Sequence, residues 1–551
     1  MADNRSVAIL RGLAKPVRYL TLLAGALPAL AFPDANLEIL AWFGLVPGLL
    51  LMRAAPSARE AAVRGWWFGA GFLMANLYWL APELGPGLLL IAIVVGVLWT
   101  GVAVATWALL RRPVSVLRAL AALVVLPSYW LVIEWIRSWQ ALGGPWAVLG
   151  ASQWQHPAVL ALAAVGGVWL VSFAIVAVNT GIVILVVSGS AAPRILGAVA
   201  IAIVAAAGPV AFVLTPAAPV TRQVTIALVQ PGLQQDPAVR ANASQRLTAA
   251  AARSGSPRGV RPGLIVWGES SVAHNLHYDP ALLHQIQALA AASHADILVN
   301  QDSIHADQKS KVAVLVSRNG IAGEYAKTRL VPFGEYIPFR QQLSWLTKIS
   351  KAAPVNMVPG NGAHNLIARL PDGSPLTVGV LICFESAFPD MARVDTDHGA
   401  QVIIYQTSDS TFQDTWALAQ HASLGALRAA ETGRPVVQAA LTGDSAAFDS
   451  RGRLLSWYGP GREGIDVVRL ALPPAATRTP YDRLGDYVPW TAVGIALVAA
   501  VIALIRSDHR GNPLRILWRG NQRGTSSVSP SADSPGSGVM AGRNQDDAVS
   551  S

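Results

Sequence analysis

The chain contains one cysteine, Cys383, which closes the apolar run Val378-Gly-Val-Leu-Ile. With one thiol no intramolecular disulfide and no Cys-x-x-Cys metal site can form, so Cys383 matters as a nucleophile or as a small core residue. Two more polar residues end stretches that a buried sheet would keep apolar: Glu269 after Leu264-Ile-Val-Trp-Gly, and Lys327 in Glu324-Tyr-Ala-Lys. Together these types can perform acyl transfer. A thiol attacks only once deprotonated, from a free pKa of about 8.5. A carboxylate can take the proton, and an ammonium group can stabilise the thiolate and then the oxyanion, help commonly worth about 3 to 4 kcal/mol. Each residue alone also reads as a core thiol or as a solvated or paired charge, and residue type leaves both readings open.

For these residues to act together they must meet at the carboxyl ends of strands, where open α/β sheets gather ligands. Residues 217–487 have the composition for one α/β domain, with strands expected at 224–229, 264–267, 297–300, 312–317, 376–382, 402–405 and 435–440. These runs of Val, Ile and Leu suit strands buried on both faces. Asn319-Gly320 marks a tight hairpin turn, and Ala-rich stretches at 237–253, 279–293 and 414–432 suit helices.

The remainder is a membrane protein by composition. The 551 residues are 53% hydrophobic and only 13% charged. About 20 apolar residues in helix cross a bilayer core. Runs of this kind lie at 18–33, 36–53, 65–82, 88–110, 117–136, 158–188, 194–215 and 488–506. The first two are short and interrupted by Pro28, Pro33 and Pro47, as in a tilted or re-entrant pair. Ala29-Leu30-Ala31 imitates a signal-peptide end, but the later runs need an anchored chain and the first run is read as retained. The net charge of +10 comes from Arg and Lys in alternate loops, such as Arg53, Arg111 and Arg194, and at the two ends. That pattern sets membrane topology, with both termini cytoplasmic and 217–487 outside, and it offers no basic face for nucleic acid. The four regions expected are thus 1–216, about seven helices; 217–487, the outer domain; 488–506, the last helix; and 507–551, a basic then disordered cytoplasmic tail.

The wording around the three polar residues resembles the nitrilase, or carbon-nitrogen hydrolase, superfamily, whose trio runs Glu, Lys, Cys along an αββα sandwich. Val266-Trp-Gly-Glu-Ser-Ser, Tyr325-Ala-Lys-Thr-Arg-Leu-Val-Pro-Phe-Gly-Glu-Tyr-Ile-Pro and Gly379-Val-Leu-Ile-Cys-Phe-Glu-Ser are similar to its three motifs. Further on, Gln420-His-Ala, Arg428-Ala-Ala-Glu431 and Gly433-Arg-Pro435 look like its downstream helix and strand. Glu134-Trp-Ile-Arg137, Gly144-Pro-Trp146, Gly150-Ala-Ser-Gln153 and Tyr481-Asp-Arg-Leu-Gly-Asp486 are similar to the membrane branch, the apolipoprotein N-acyltransferases. The resemblance covers residues 15–506.

It implies an α/β nitrilase-like αββα sandwich domain inserted in an eight-helix transmembrane bundle. It also implies Glu269, Lys327 and Cys383 as catalytic residues, with Glu335 and Glu385 assisting by hydrogen bonds. The implied partners are a phospholipid acyl donor, a diacylglyceryl apolipoprotein acceptor and the membrane, and the chemistry calls for no metal or organic cofactor. Two rivals use the same sequence differently: a membrane-tethered amidase with water as acceptor, and a noncatalytic membrane scaffold. A segment at 340–362, with Leu343, Trp345, Leu346 and Met357, is expected to form a lid or to pack into the core. Several positions depart from the family pattern. Gly268 replaces a usual Pro, implying a looser turn before Glu269; Gln230-Pro231-Gly replaces Gln-Gly-Asn; and Ser408-Asp409 replaces Asn-Asp, followed by Ser410-Thr411-Phe412.

Overall fold

A computed structural model of the chain describes residues 15–508, apart from 216–217, 233, 235, 255–260, 306–307 and 349–354. The described residues up to 496 form one compact unit, and the described part of a second, 497–508, is helical. The rest of the expected tail lies outside the described residues.

The membrane-type helices are α1 (15–26), α2 (Val46–Arg53), α3 (Ala58–Asn76), α4 (Gly87–Leu110), α5 (Val116–Arg137), α6 (Pro157–Val187) and α7 (Ala191–Leu214). Among the described residues five helices are long and apolar enough to cross a membrane: α4 to α7 and Tyr487–Ile505. The first two expected runs are interrupted, as their prolines require. Leu27–Ala31 and Glu38–Trp42 are 3-10 turns, and Pro28 and Pro47 sit at the starts of helical segments, where no N–H is needed. α3 begins earlier than expected because Ser57 caps it through Glu60 N. Its first turns carry Arg59, Glu60 and Arg64, and Glu60 pairs with Arg18 at 2.7 Å and Arg64 at 3.3 Å.

The α/β part is built on two six-stranded sheets. The first uses β1 (Arg222–Gln230), β2 (Leu264–Trp267), β3 (Asp296–His305), β4 (Gln308–Ser317), β5 (Gly320–Ala326) and β12 (Gly464–Leu472), in the order β12-β1-β2-β3-β4-β5. The second uses β6 (Leu366–Arg369), β7 (Pro375–Ile382), β8 (Val402–Thr407), β9 (Val436–Ala440), β10 (Ser445–Phe448) and β11 (Leu454–Tyr458), in the order β11-β10-β9-β8-β7-β6. Each has a parallel centre, β1-β2-β3 or β7-β8-β9, flanked by antiparallel strands.

The two-residue period of a strand assigns alternate side chains to two cores. Ile226, Leu228, Val266 and Leu298 meet Val378, Val380, Ile404 and Val437 between the sheets. Their neighbours Ala227, Val229, Ile265, Trp267 and Ile297 pack under α8 (Pro237–Ser254) and α9 (Pro280–Ser293), which contribute Leu247, Ile286 and Ala290. On the far side Leu381, Ile403, Tyr405 and Phe448 belong to one apolar cluster with α10 (Pro389–Asp397), α11 (Ala417–Thr432) and the membrane-type helices. The result is the αββα sandwich, with its second helix layer seated on the helical bundle.

One polar contact fixes that seat. α6 breaks at Gly166 and Gly167, and Gly167 has φ +69°, a conformation that suits glycine. The break frees Val168 N, which donates to Glu431 Oε1 of α11 at 2.7 Å.

Candidate active site

The three polar strand ends converge. Glu269 lies just past β2, Lys327 directly after β5 and Cys383 directly after β7. Glu269 Oε1 is 3.5 Å from Lys327 Nζ, and the Cys383 thiol donates a hydrogen bond to the same carboxylate. All this occurs away from water: the Lys327 side chain is fully buried and that of Glu269 is 4% exposed.

Each residue is held by its backbone. Glu269 N donates to Thr407 O at 3.1 Å, tying the β2 end to the β8 end. Gly268 sits so close to these strands that a Cβ would lie 2.8 Å from both Leu441 N and Thr407 O. The looser turn expected there is therefore absent: glycine permits a close approach that fixes Glu269. Lys327 N donates to Lys311 O at 2.9 Å, and Gly360 N to Lys327 O at 2.8 Å. Cys383 has φ +51°, and Ser270 and Asp409, beside the ends of β2 and β8, have φ +56° and +55°. Left-handed non-glycine residues at three neighbouring strand ends are a strained arrangement of the kind found at functional sites.

The two expected assistants do different work. Glu335 Oε1 accepts from Lys327 Nζ at 2.7 Å, and its Oε2 accepts from Val331 N at 2.9 Å. Glu385 touches neither the ammonium nor the thiol. Its Oε1 accepts from Tyr325 OH, Thr328 N, Thr328 Oγ1 and Arg329 N, and its Oε2 from Ile382 N, all at 2.7 to 3.0 Å. A single buried carboxylate thus pins the loop after Lys327 to the strand that ends in Cys383.

Two groups complete the site. Lys311 on β4 places Nζ 3.4 Å from Glu269 Oε1, 2.6 Å from Ser270 Oγ and 2.9 Å from Asp302 Oδ1. Its residue number gave no hint, because Lys309 and Lys311 share one face of a strand in the sequence. His421 on α11 pairs its Nδ1 with Asp409 Oδ1 at 2.9 Å, while its Nε2 lies 2.7 Å from Ser386 Oγ and 3.1 Å from Cys383 O. The motif Gln420-His-Ala contains this histidine, but the pairing with Asp409 appears only in three dimensions. The ligand atoms of Cys383, Asp409 and His421 lie within 4.8 Å of one another. Both ring nitrogens of His421 are already engaged, so the group reads as a brace on the cysteine turn and not as a metal cage.

The charges set the resting protonation. Burial alone would push Glu269 up, but Lys311 and Lys327, with the thiol hydrogen bond, hold it down to about 2. Burial favours neutral lysines, yet Glu335 and Glu269 keep Lys327, and Glu269 and Asp302 keep Lys311, above the usual lysine value. The Cys383 thiol is pushed well up, first by burial and then by the Glu269 charge. His421 is lowered by burial and raised further by Asp409, with a net rise. The resting site is therefore a neutral thiol against an ionised carboxylate between two ammonium groups. With acid and base so far apart, the thiol proton moves only as a new bond forms to sulfur.

Residues 24–181 match the Apolipoprotein N-acyltransferase N-terminal domain, and residues 225–478 the Carbon-nitrogen hydrolase family. The apolipoprotein N-acyltransferase of Allorhizobium ampelinum is 30% identical over 543 residues, spanning 90% of this chain and 97% of its own. The chain belongs to the apolipoprotein N-acyltransferase family. The enzyme of that name from Geobacter metallireducens is 29% identical over 518 residues, 89% of this chain and 95% of its own. A solved Saccharomyces cerevisiae member of branch 10 of the nitrilase superfamily matches 46% of this chain and 91% of its own, at 16% identity and a TM-score of 0.34.

Within this apolipoprotein N-acyltransferase fold the departures at Pro231, Gly268 and Ser408 fall together. Gly232 N donates to Leu441 O at 3.0 Å, Gly268 abuts Leu441 N, and Ser408 O accepts from Thr442 Oγ1 at 2.8 Å. In the segment expected to be a lid or core, residues 349–354 lie outside the described residues. Trp345 is exposed, Leu343 and Met357 are half-buried, and neighbouring Phe339 is 78% exposed.

Proposed function

We propose that this chain N-acylates the N-terminal diacylglyceryl-cysteine of apolipoproteins with an acyl group from a phospholipid, the last step of lipoprotein maturation. Cys383 is the nucleophile, Glu269 the general base and Lys327 the oxyanion partner. The observation that carries the reading is the meeting of these three groups, out of water, in a domain whose helix layer shares one apolar core with membrane-type helices.

The cycle has two halves. As Cys383 Sγ attacks an ester carbonyl, its proton passes to Glu269, and the oxygen takes negative charge beside Lys327. The C–O bond then breaks, the leaving oxygen takes the proton from Glu269, and a lysophospholipid departs. The free α-amine attacks the thioester, Glu269 accepts an amine proton, and the C–S bond breaks to leave an amide. Sulfur regains the proton, and the enzyme returns to its starting state. Glu335 keeps the Lys327 ammonium in place, and Glu385 keeps the two loops in register.

In the membrane, 1–216 carries the N-terminal helices, 217–487 faces the extracytoplasmic side, 488–506 is the last helix and both termini are cytoplasmic. Alkaline phosphatase fused after residue 551 should then be inactive. Both substrates hold their chains in the bilayer and reach the site laterally.

Intact-mass analysis after incubation with phospholipid tests the chemistry. Wild type should gain a hydroxylamine-labile acyl group, Cys383→Ser should gain none, and a diacylated lipopeptide with a free amine should remove it. Discharge to water alone would make the protein a hydrolase, and an absence of adduct would make it a scaffold.

A further inference from the structure

A cavity of about 370 Å³ is lined by Gly232, Gln234, Arg240, Ser410, Gln413, Leu441 and Thr442, of which Gly232 and Ser410 belong to stretches where the sequence leaves the family pattern. It lies beside the catalytic groups: Gly268, the residue before Glu269, is pressed against Leu441, and Asp409, the partner of His421, precedes Ser410. The lining is polar and mostly pre-set. Gln413 Nε2 donates to Asp409 O at 3.0 Å and Thr442 Oγ1 at 2.6 Å, and Ser410 Oγ lies 3.0 Å from Ser408 Oγ. Gln234 Nε2 donates to Glu463 Oε1 at 3.1 Å, engaging the nearby carboxylate.

Arg240 is the charged group among these lining residues. Its Nη1 donates to Ser270 O at 3.1 Å, which orients the guanidinium. Its Nε is buried without a hydrogen-bond partner, and no ion pair joins Arg240 to a carboxylate among the described residues. Lys311, across Ser270, is by contrast fully engaged by Glu269, Asp302 and Ser270 Oγ. A half-buried arginine that lines a polar cavity, is oriented by a backbone carbonyl and has no carboxylate partner among the described residues suits an anion, and its planar fork suits two oxygens of one phosphoryl group.

We propose that this cavity binds the phosphodiester of the donor phospholipid, with Arg240 as its cation. The inference rests on the reading of the chain as a phospholipid-using acyltransferase and adds to it the place where the head group is held. The ester carbonyl sits at Cys383 and the phosphate at Arg240, which orients the glycerol oxygen as the leaving group.

The test compares two donors with the same glycerol ester, phosphatidylglycerol and diacylglycerol, in mixed micelles with the full chain. The readout is the rate of acyl-enzyme formation on Cys383. Arg240→Gln should lower the phosphatidylglycerol-to-diacylglycerol ratio about tenfold or more, the worth of a charge-assisted hydrogen bond, and Arg240→Lys should retain part of it. The ratio within one variant is its own control for folding. An unchanged ratio in Arg240→Gln overturns the assignment. Binding of inorganic phosphate that depends on Arg240 yet does not compete with phosphatidylglycerol would overturn it too, assigning the cavity to a free anion. Wild type that takes no acyl group from phosphatidylglycerol or from any other diacyl phospholipid would instead overturn the proposed function itself.

Discussion

Replacing Lys311 by methionine should give Glu269 a visible acid limb. Lys311 Nζ lies 3.4 Å from Glu269 Oε1, as near as Lys327 Nζ at 3.5 Å. With an effective dielectric of about 20, a unit charge at that distance contributes about 5 kcal/mol. Carboxylates beside one cation shift by about 1 to 3 units, and this smaller figure is the better guide because Lys311 is shared with Asp302. Glu269, held down to about 2 in the wild type, should then titrate between about 3 and 5 in Lys311→Met. In the proposed cycle Glu269 acts as the carboxylate, so wild-type single-turnover acylation of Cys383 should stay flat from neutral pH to about 4, while the variant should already be falling there. At neutral pH both remain ionised and the variant keeps its base. Stability follows the same sign. A depressed carboxylate stabilises the fold above its unfolded value, and that contribution is lost as pH falls toward about 2, so the variant's deficit in melting temperature should shrink in acid. Coincident acylation profiles from pH 4 to 8 would refute the argument that Lys311 sets the ionisation of the base.

Glu385→Gln turns an amide N–H toward some of the five donors that now meet a carboxylate; a loss of about 1 to 3 kcal/mol in unfolding free energy, read by denaturant titration, is expected, with a partial fall in acylation rate. Gly268→Ala drives a methyl group against Leu441 N and Thr407 O, so acylation should drop while phospholipid binding, read by co-purified lipid, persists. Asp444 is pushed up to about 7, chiefly by burial, while accepting from Trp457 Nε1 at 2.9 Å. A carboxylate so raised costs stability as pH climbs from its unfolded value of about 4 to about 7, so Asp444→Asn should melt above wild type at pH 8, with the difference narrowing at pH 5 and closing toward pH 4.

The centre of each sheet was legible because strands buried on both faces read as unbroken apolar runs, as in Leu264–Trp267 and Val402–Thr407. The flanks were not. β6 alternates buried and exposed residues, and β11 is half-buried or exposed throughout, so neither has a continuous signal. Glu269 and Cys383 follow apolar runs, but Lys327 follows a half-buried strand that contains Glu324, and it is the wording of the motifs around all three that singles them out. Lys311 could not, since only the register that sets it opposite Asp302, and its reach to Ser270, distinguish it from Lys309. Asp409 and His421 are joined by a left-handed turn at Asp409 that residue types do not specify. Gly268 misled in a particular way: glycine was taken as freedom, whereas here it is the only side chain small enough for the space.

The loops that carry Lys327 and Cys383 are supported from the membrane side as well as by their own sheets. A Cβ on Gly144, in the loop after α5, would lie 3.0 Å from both Phe384 and Phe388, the aromatic residues that follow Cys383. Gln140 Nε2 from the same loop donates to Leu330 O at 2.9 Å, on the segment after Lys327. Arg329 lies over the Phe388 ring and pairs with Asp390, linking the lysine and cysteine loops. Trp146 then stacks edge-on against His421, whose ring braces the Cys383 carbonyl. A membrane-side loop therefore touches the supports of both the proposed nucleophile and its cation. The geometry at Cys383 depends on the seat of the sandwich on the bundle, and a freed sandwich would lose these contacts while exposing the apolar layer of α10 and α11. In this family member the helices are part of the active-site scaffold as well as an anchor.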